Sequence, residues 1–256
     1  MSKRTVDFIT PFVAAWTLWR RDRALLLPLA GLFVFVPQLA VLLLVPDMPR
    51  MAAGEGGEEA MRAWSLLFAD WFASHGALFL GSMLLAQFAT LAVAALYVDR
   101  ERPTAQLALR RGAMLLPRYL LASLLVALPF GALMALAPLP ATVLLLMLPM
   151  LYVFARTLLV GPVLIAERPL SAVGAIKRSW QLTAGNGASL MAIFAATSLV
   201  GRAVASVLLG LVAVVGANPV AVAILAAAAA LATAAAALAL VLASVVIYGR
   251  LASKGT

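Results

Sequence analysis

Long apolar runs alternate with short polar connections along this chain, and that rhythm predicts its elements. Residues 24–45, 76–98, 117–137, 141–165, 188–214 and 221–248 are almost continuously apolar. Each run reaches the roughly 20 residues that a helix needs to cross the hydrocarbon of a bilayer. Pro28 and Pro37 interrupt the first run and predict kinks, which neighbouring helices can absorb. The long polar connection, residues 46–63, holds Asp47, Glu55, Glu58 and Glu59 against Arg50 and Arg62, among glycines. Tight turns are expected at Pro138-Leu139-Pro140 and at Ala217-Asn218-Pro219. Ala226 to Ala237 is alanine-dense, which fits either close helix packing in the interior or compositional drift.

Shorter amphipathic stretches precede the spans. Thr10-Pro11 is a helix start, followed by an apolar stripe of Phe12, Val13, Trp16 and Trp19. Pro103 opens a second such helix, which ends near Arg110 and Arg111. The clearest lies within Glu167–Asn186, with Pro169 expected at the first helical position. Ala172, Val173, Ile176, Ser179 and Trp180 fall on one face, and Gly174, Lys177, Arg178 and Gln181 on the other. Ala184-Gly185-Asn186-Gly187 then supplies residues that tolerate positive φ at the helix end. Trp on one edge and cations on the other predict a helix at the membrane surface. Short likenesses, Glu101-Arg102-Pro103 with Glu167-Arg168-Pro169 and the basic pairs that follow, divide the chain into three units. Their bounds are about 5–98, 101–165 and 167–250, each a surface helix plus two spans, which reads as a threefold internal repeat within one membrane domain.

Composition agrees with this map. Of the 256 residues, 65% are hydrophobic and 11% charged, and the mean hydropathy is +1.07. Soluble domains carry about 25% charged residues. The fold class predicted is therefore all-α: a polytopic membrane protein with six transmembrane helices and amphipathic helices at the cytoplasmic interface. The net charge of +9 would point to nucleic acid in a soluble chain. Here the cations lie between spans, so no nucleic-acid partner is expected. With both termini cytoplasmic, all 19 Lys and Arg except Arg50, Arg62, Arg156 and Arg202 fall on the inner side, as the positive-inside bias requires. The chain has no cysteine, so disulfides and thiolate chemistry are excluded.

Candidate chemistry is sparse. His75 is the single histidine, and Ser82 lies about 10 Å from it along a helix, beyond the reach of a nucleophile–base pair. No acidic or histidine group has metal-ligand spacing, and no phosphate-cradling glycine loop is present, so no cofactor is expected. Arg156 and Arg202 are the notable polar residues. Both are placed near the midplane by residue counting, where an ionised side chain needs a partner, and no acidic residue lies in the spans to provide one. Either carbonyls freed near Pro149 and Pro162 accept their protons, or an anionic ligand is drawn between the fourth and fifth spans. Arg110, Arg111, Lys177 and Arg178 offer a second site for an anionic headgroup.

The residues Arg156, Gly161-Pro162, Glu167-Arg168-Pro169, Ala175, Lys177, Arg178, Ser179, Trp180, Leu182 and Asn186 together resemble the membrane domain of glycerophosphoryl diester phosphodiesterases and related stand-alone bacterial inner-membrane proteins. The resemblance implies a bacterial inner-membrane location and a role in lipid or envelope maintenance. Some members carry a soluble catalytic barrel after the membrane part, and none is expected here. The expectation is a non-enzymatic protein that binds or organises anionic phospholipid or a partner membrane protein. The alternative is a transporter component for a small or lipid-like anion.

Overall fold

A computed structural model describes residues 7–49, 57–99, 104–136, 140–216 and 218–253, with side chains described outside 134–144. Every regular element among them is helical. The order is α1 (Ile9–Ala30), a π-helical segment (Gly31–Phe35), α2 (Val36–Leu44), α3 (Glu58–Val98), α4 (Ala105–Leu136) and α5 (Pro140–Arg156). There follow α6 (Val160–Ala166), α7 (Ala172–Leu182), α8 (Gly187–Gly210), α9 (Val212–Val215) and α10 (Pro219–Ala252). Six stretches are long and apolar enough to cross a membrane: Ile9–Leu44, Glu58–Val98, Ala105–Leu133, Leu145–Ala166, Gly187–Val215 and Pro219–Ala252. Large apolar side chains cover the outside of the bundle, among them Val214 (80% exposed), Leu145 (75%) and Leu44 (67%). Water would not tolerate so continuous an apolar surface, and hydrocarbon does. The chain is an all-α, polytopic protein with six spans.

Several boundaries differ from those expected. The first surface helix runs straight into its span within α1 and is marked off only at Asp22, whose φ of −113° and ψ of 19° leave the helical region. The kinks expected at Pro28 and Pro37 are taken up by the π-helical segment between them. There the Val36 N–H reaches back to the Gly31 carbonyl, just ahead of the proline that has no N–H to give. The helix that contains the second span begins far earlier than residue 76, because α3 is a single helix of 41 residues. That is about 60 Å, roughly twice the hydrocarbon thickness, so its first turns extend past the bilayer. Trp64 and Trp71 there donate from their indole nitrogens to the carbonyls of Pro49 and Pro46 at 3.1 and 3.0 Å, folding the connection back on α3. Likewise the expected surface helix ahead of the third span is continuous with it in α4. Arg50, Glu55, Glu101-Arg102-Pro103, Pro138-Leu139 and Ala217 lie outside the described residues.

The sixth span is central. α10 packs against α8, α1 and α3, and Ala226, Ala229, Ala230 and Ala234 are buried. At Gly201 of α8 an added β-carbon would fall 2.5 Å from Ala236 Cβ, so the two backbones approach as closely as small residues allow. The alanine density therefore serves close packing. α3 and α4 meet in the same way at Gly112, where a β-carbon would lie 3.2 Å from the Ala92 nitrogen.

Candidate functional site

Charged side chains gather at one end of the bundle. α3 ends at Val98, and Asp99 just after it pairs with Arg111 of α4 and with Arg168, whose Nη2 is 3.3 Å away. Arg168 also donates from Nε to the Ile165 carbonyl. The next carboxylate, Glu167, accepts from Arg178 Nε at 2.7 Å and from the Tyr248 hydroxyl at 3.2 Å. Two consecutive residues thus join α3, α4, α7 and α10. A third knot lies at the kink of α1, where Asp22 accepts from Arg21 and from Tyr97 Oη at 2.9 Å.

α7 begins later than expected. Pro169 is not its first residue; the helix opens at Ala172, and the Ser171 hydroxyl caps it by accepting from the Gly174 N–H at 3.1 Å. Ser171 has the extended dihedrals of an N-cap, whereas Pro169 lies in the preceding turn, after a cis Arg168–Pro169 bond. Gly185, at a φ of 81°, ends the element as expected. The buried face also differs. Ala172, Ala175, Ser179 and Thr183 are at most 4% exposed, while Val173 is 50% exposed. These buried residues recur at three- and four-residue spacing. Small residues let α7 press onto α6, with α4 alongside, so tight backbone approach outweighs side-chain hydrophobicity in choosing the face.

Arg156 is bound to that helix. Its Nε donates to Thr183 Oγ1 at 2.7 Å, Nη1 to Tyr152 Oη at 2.8 Å and Nη2 to the Trp180 carbonyl at 2.6 Å. The guanidinium carbon lies 4.5 Å from the Trp180 ring centre and 5.6 Å from that of Tyr152. In return Ser179 Oγ donates to the Arg156 carbonyl at 2.7 Å, where the helix breaks before α6. The carbonyls near Pro149 and Pro162 play no part among the described bonds. Neither does a carboxylate, so among the described residues the charge of Arg156 is held by dipoles and aromatic faces.

The structure corrects the midplane placement of Arg156. From the crossing of Gly201 and Ala236, Gly187 is about 21 Å away along α8 and Tyr248 about 18 Å away along antiparallel α10. Both displacements run toward the same end. Gly187 packs on Tyr152, since an added β-carbon would come within 2.7 Å of that ring. Arg156 therefore shares the charged end with Glu167 and Tyr248. Arg202 does not. It is exposed on α8, about 22 Å from Gly187, between the exposed Val200 and Val204. No polar partner contacts it among the described residues, and the two arginines are not brought together.

The remaining candidates divide. Arg110 and Lys177 are exposed and unpaired among the described residues, on α4 and α7 at the charged end. Arg111 and Arg178 are the paired ones. Gly161 and Pro162 are buried in α6, where Gly161 faces Tyr119 and Leu91, and Asn186 is buried ahead of α8. Tyr152, Thr183, Asp99 and Tyr248 were not singled out from the sequence. Tyr152 and Thr183 carried a usable signal: each stands four residues from a residue already of interest, Arg156 and Ser179. His75 Nδ1 is 3.2 Å from the Trp71 carbonyl and Ser82 donates to the Phe79 carbonyl, so the two stay apart. Among the described residues no group of acidic or histidine side chains could hold a metal ion. No family model matches the chain, nor does any curated protein or solved structure.

Proposed function

We propose that this polytopic membrane protein is non-enzymatic and collects anionic phospholipid at its charged end, in a bacterial inner membrane, with both termini cytoplasmic. The observation that carries this reading is the surplus of exposed cations there. Arg110, Lys177 and Arg250 are exposed with no carboxylate partner among the described residues, while Asp99 and Glu167 are already engaged by Arg111, Arg168 and Arg178. A cation near an anionic leaflet gains about 1 kcal/mol, and neighbouring cations on α4 and α7 would add their attractions. A partner membrane protein with an acidic face would be drawn by the same field.

Membership of the glycerophosphoryl diester phosphodiesterase membrane-domain group belongs to this reading. What supports it is that the motif residues make one contiguous arrangement, with Arg156 on Ser179 and Trp180 and Glu167 on Arg178. The alternative of an anion path lined by Arg156 and Arg202 gains no support from their separate positions.

The test is native mass spectrometry of the protein extracted from bilayers containing equal phosphatidylglycerol and phosphatidylcholine. Preferential retention of phosphatidylglycerol, abolished in a combined Arg110→Ala, Lys177→Ala variant, is the expected result. Equal retention of both lipids by the unaltered protein would overturn the reading.

A further inference from the structure

A cavity of about 700 Å³ lies inside the bundle, well within the roughly 300–1,000 Å³ of sites that hold small molecules. α3, α4, the break between α5 and α6, α8 and α10 form its wall. Most of the wall is apolar, and no charged side chain among the described residues contributes to it. Leu80, Met83, Leu84 and Leu124 on its rim are 43–57% exposed, so the cavity opens sideways toward lipid.

Its polar side chains are ordered by height. Along α3, Gln87 and Thr90 follow Leu80, Met83 and Leu84; along α10, Ser244 follows Ala237 and Leu240; at the α5 end, Thr157 follows Phe154. On α4, which runs the other way, Tyr119 and Ser123 precede Leu124, Val126 and Ala127. On α3 and α10 the polar positions lie toward the charged end and the apolar ones away from it. On α4 Leu120 and Ala122 lie between the two polar positions, and Leu158, Val160, Gly161 and Pro162 continue the wall beyond Thr157. Thr90, Thr157 and Ser244 donate to carbonyls of their own helices. Gln87, Tyr119 and Ser123 have no hydrogen-bond partner among the described residues. Unpaired amide and hydroxyl groups facing hydrocarbon are costly, so the occupant must supply hydrogen-bonding atoms.

Depth narrows its chemistry. Asp99 pairs with Arg111 at the charged end. Twelve residues back along α3 is Gln87, and twelve forward along α4 is Ser123, each about 18 Å from that ion pair. Half of the hydrocarbon is about 15 Å, so both groups lie below the layer where a phospholipid headgroup rests. We propose that the cavity binds an uncharged lipid, a long apolar tail bearing a hydroxyl or ester oxygen as in a diacylglycerol or a long-chain alcohol. It enters from the side, with its oxygen meeting Gln87, Ser123 and Tyr119 and its tail along Leu80, Leu84 and Leu124. This inference does not rest on the anionic-lipid reading, because no cation among the described residues lines the cavity.

The experiment uses the full chain in phosphatidylcholine vesicles, without anionic lipid, so its outcome is independent of the preceding test. A trace diacylglycerol carries a diazirine near the end of one acyl chain, and a matched arm uses phosphatidylcholine with the same chain. The diacylglycerol probe is expected to label peptides spanning residues 80–87 and 123–127 about tenfold more than the phosphatidylcholine probe, equivalent to about 1.4 kcal/mol. Gln87→Leu should remove that preference, and Ala127→Trp should block the labelling by filling the space. Ser123→Ala, a smaller change, should weaken the preference if Ala127→Trp does not insert. Excess unlabelled diacylglycerol or long-chain alcohol should displace the label. Equal labelling by the two probes, label confined to the outer face of α8, no displacement by either competitor, or a preference unchanged in Gln87→Leu would each overturn the proposal.

Discussion

The guanidinium of Arg156 stacks 4.5 Å from the Trp180 ring centre while its Nη2 donates to the carbonyl of the same residue at 2.6 Å, so one residue of α7 holds the cation by ring and backbone together. With the Thr183 bond, this fastens the last turn of α7 to the end of α5. Arg156→Ala should destabilise the protein by about 3 kcal/mol, since charged hydrogen bonds contribute about 1.5–3 kcal/mol each and the stacking adds to them. Arg156→Lys should recover little, because an ammonium cannot reproduce the planar fork. Hydrogen exchange over residues 172–183 should accelerate in both variants. Unchanged protection there would show that α7 is held by its small-residue face alone.

Asp99 and Arg21 provide a contrast in burial. Asp99 and Arg111 are 13% and 15% exposed in their side chains, and Asp99 also serves Arg168. Asp99→Asn removes the carboxylate that Arg111 and Arg168 share, and should cost about 3 kcal/mol by the behaviour of buried pairs. Arg21 is 64% exposed in its pair with Asp22, so Arg21→Ala should cost at most about 0.5 kcal/mol. Thermal unfolding in detergent at low and high salt would check both, and only the Arg21 effect should fade with salt.

Gly201 tests how tightly α8 and α10 pack. An added side chain meets Ala236 Cβ at 2.5 Å, so Gly201→Val should destabilise by about 1–3 kcal/mol through overpacking. At Gly81 an added β-carbon meets nothing within 4 Å, and Gly81→Ala should be neutral or slightly stabilising. Equal losses at the two sites would remove the close approach as an explanation for the alanine-rich helix.

Glu167 neutralises Arg178 and accepts from Tyr248. Glu167→Gln should lower stability modestly, about 1 kcal/mol, because both partners of the ion pair are partly exposed. It should also free one cation and raise the retention of phosphatidylglycerol. Lower retention, measured by the same native mass spectrometry, would count against electrostatic capture at this end.

Orientation is directly accessible because the chain contains no native cysteine. Lys177→Cys, exposed on α7, should react with a membrane-impermeant maleimide only after the inner face is opened. Asp47→Cys, at the opposite end, should react in intact cells. The reverse pattern would invert the topology and place the cationic end outside.

What could be read from residue order alone was the class and the number of spans. A run of about 20 apolar residues has few fates other than crossing a bilayer, and this constraint acts locally. The distribution of Arg and Lys also marks one end as cationic.

Tertiary structure decided which partners those residues take. Counting along a helix placed Arg156 and Arg202 at similar depth, yet a break after Arg156 and the folding of α7 onto α6 put one at the charged end and left the other exposed on α8. The buried face of α7 followed the same logic: Ala172, Ala175 and Ser179 won over Val173 because the neighbouring backbone comes close enough to admit only small side chains. The cavity bounded by Gln87, Ser123 and Ser244 has no sequence signature, since helices far apart in the chain build it. Hydrophobic length is a property of a segment, whereas ion pairs, close approach and enclosed space depend on where other segments pack.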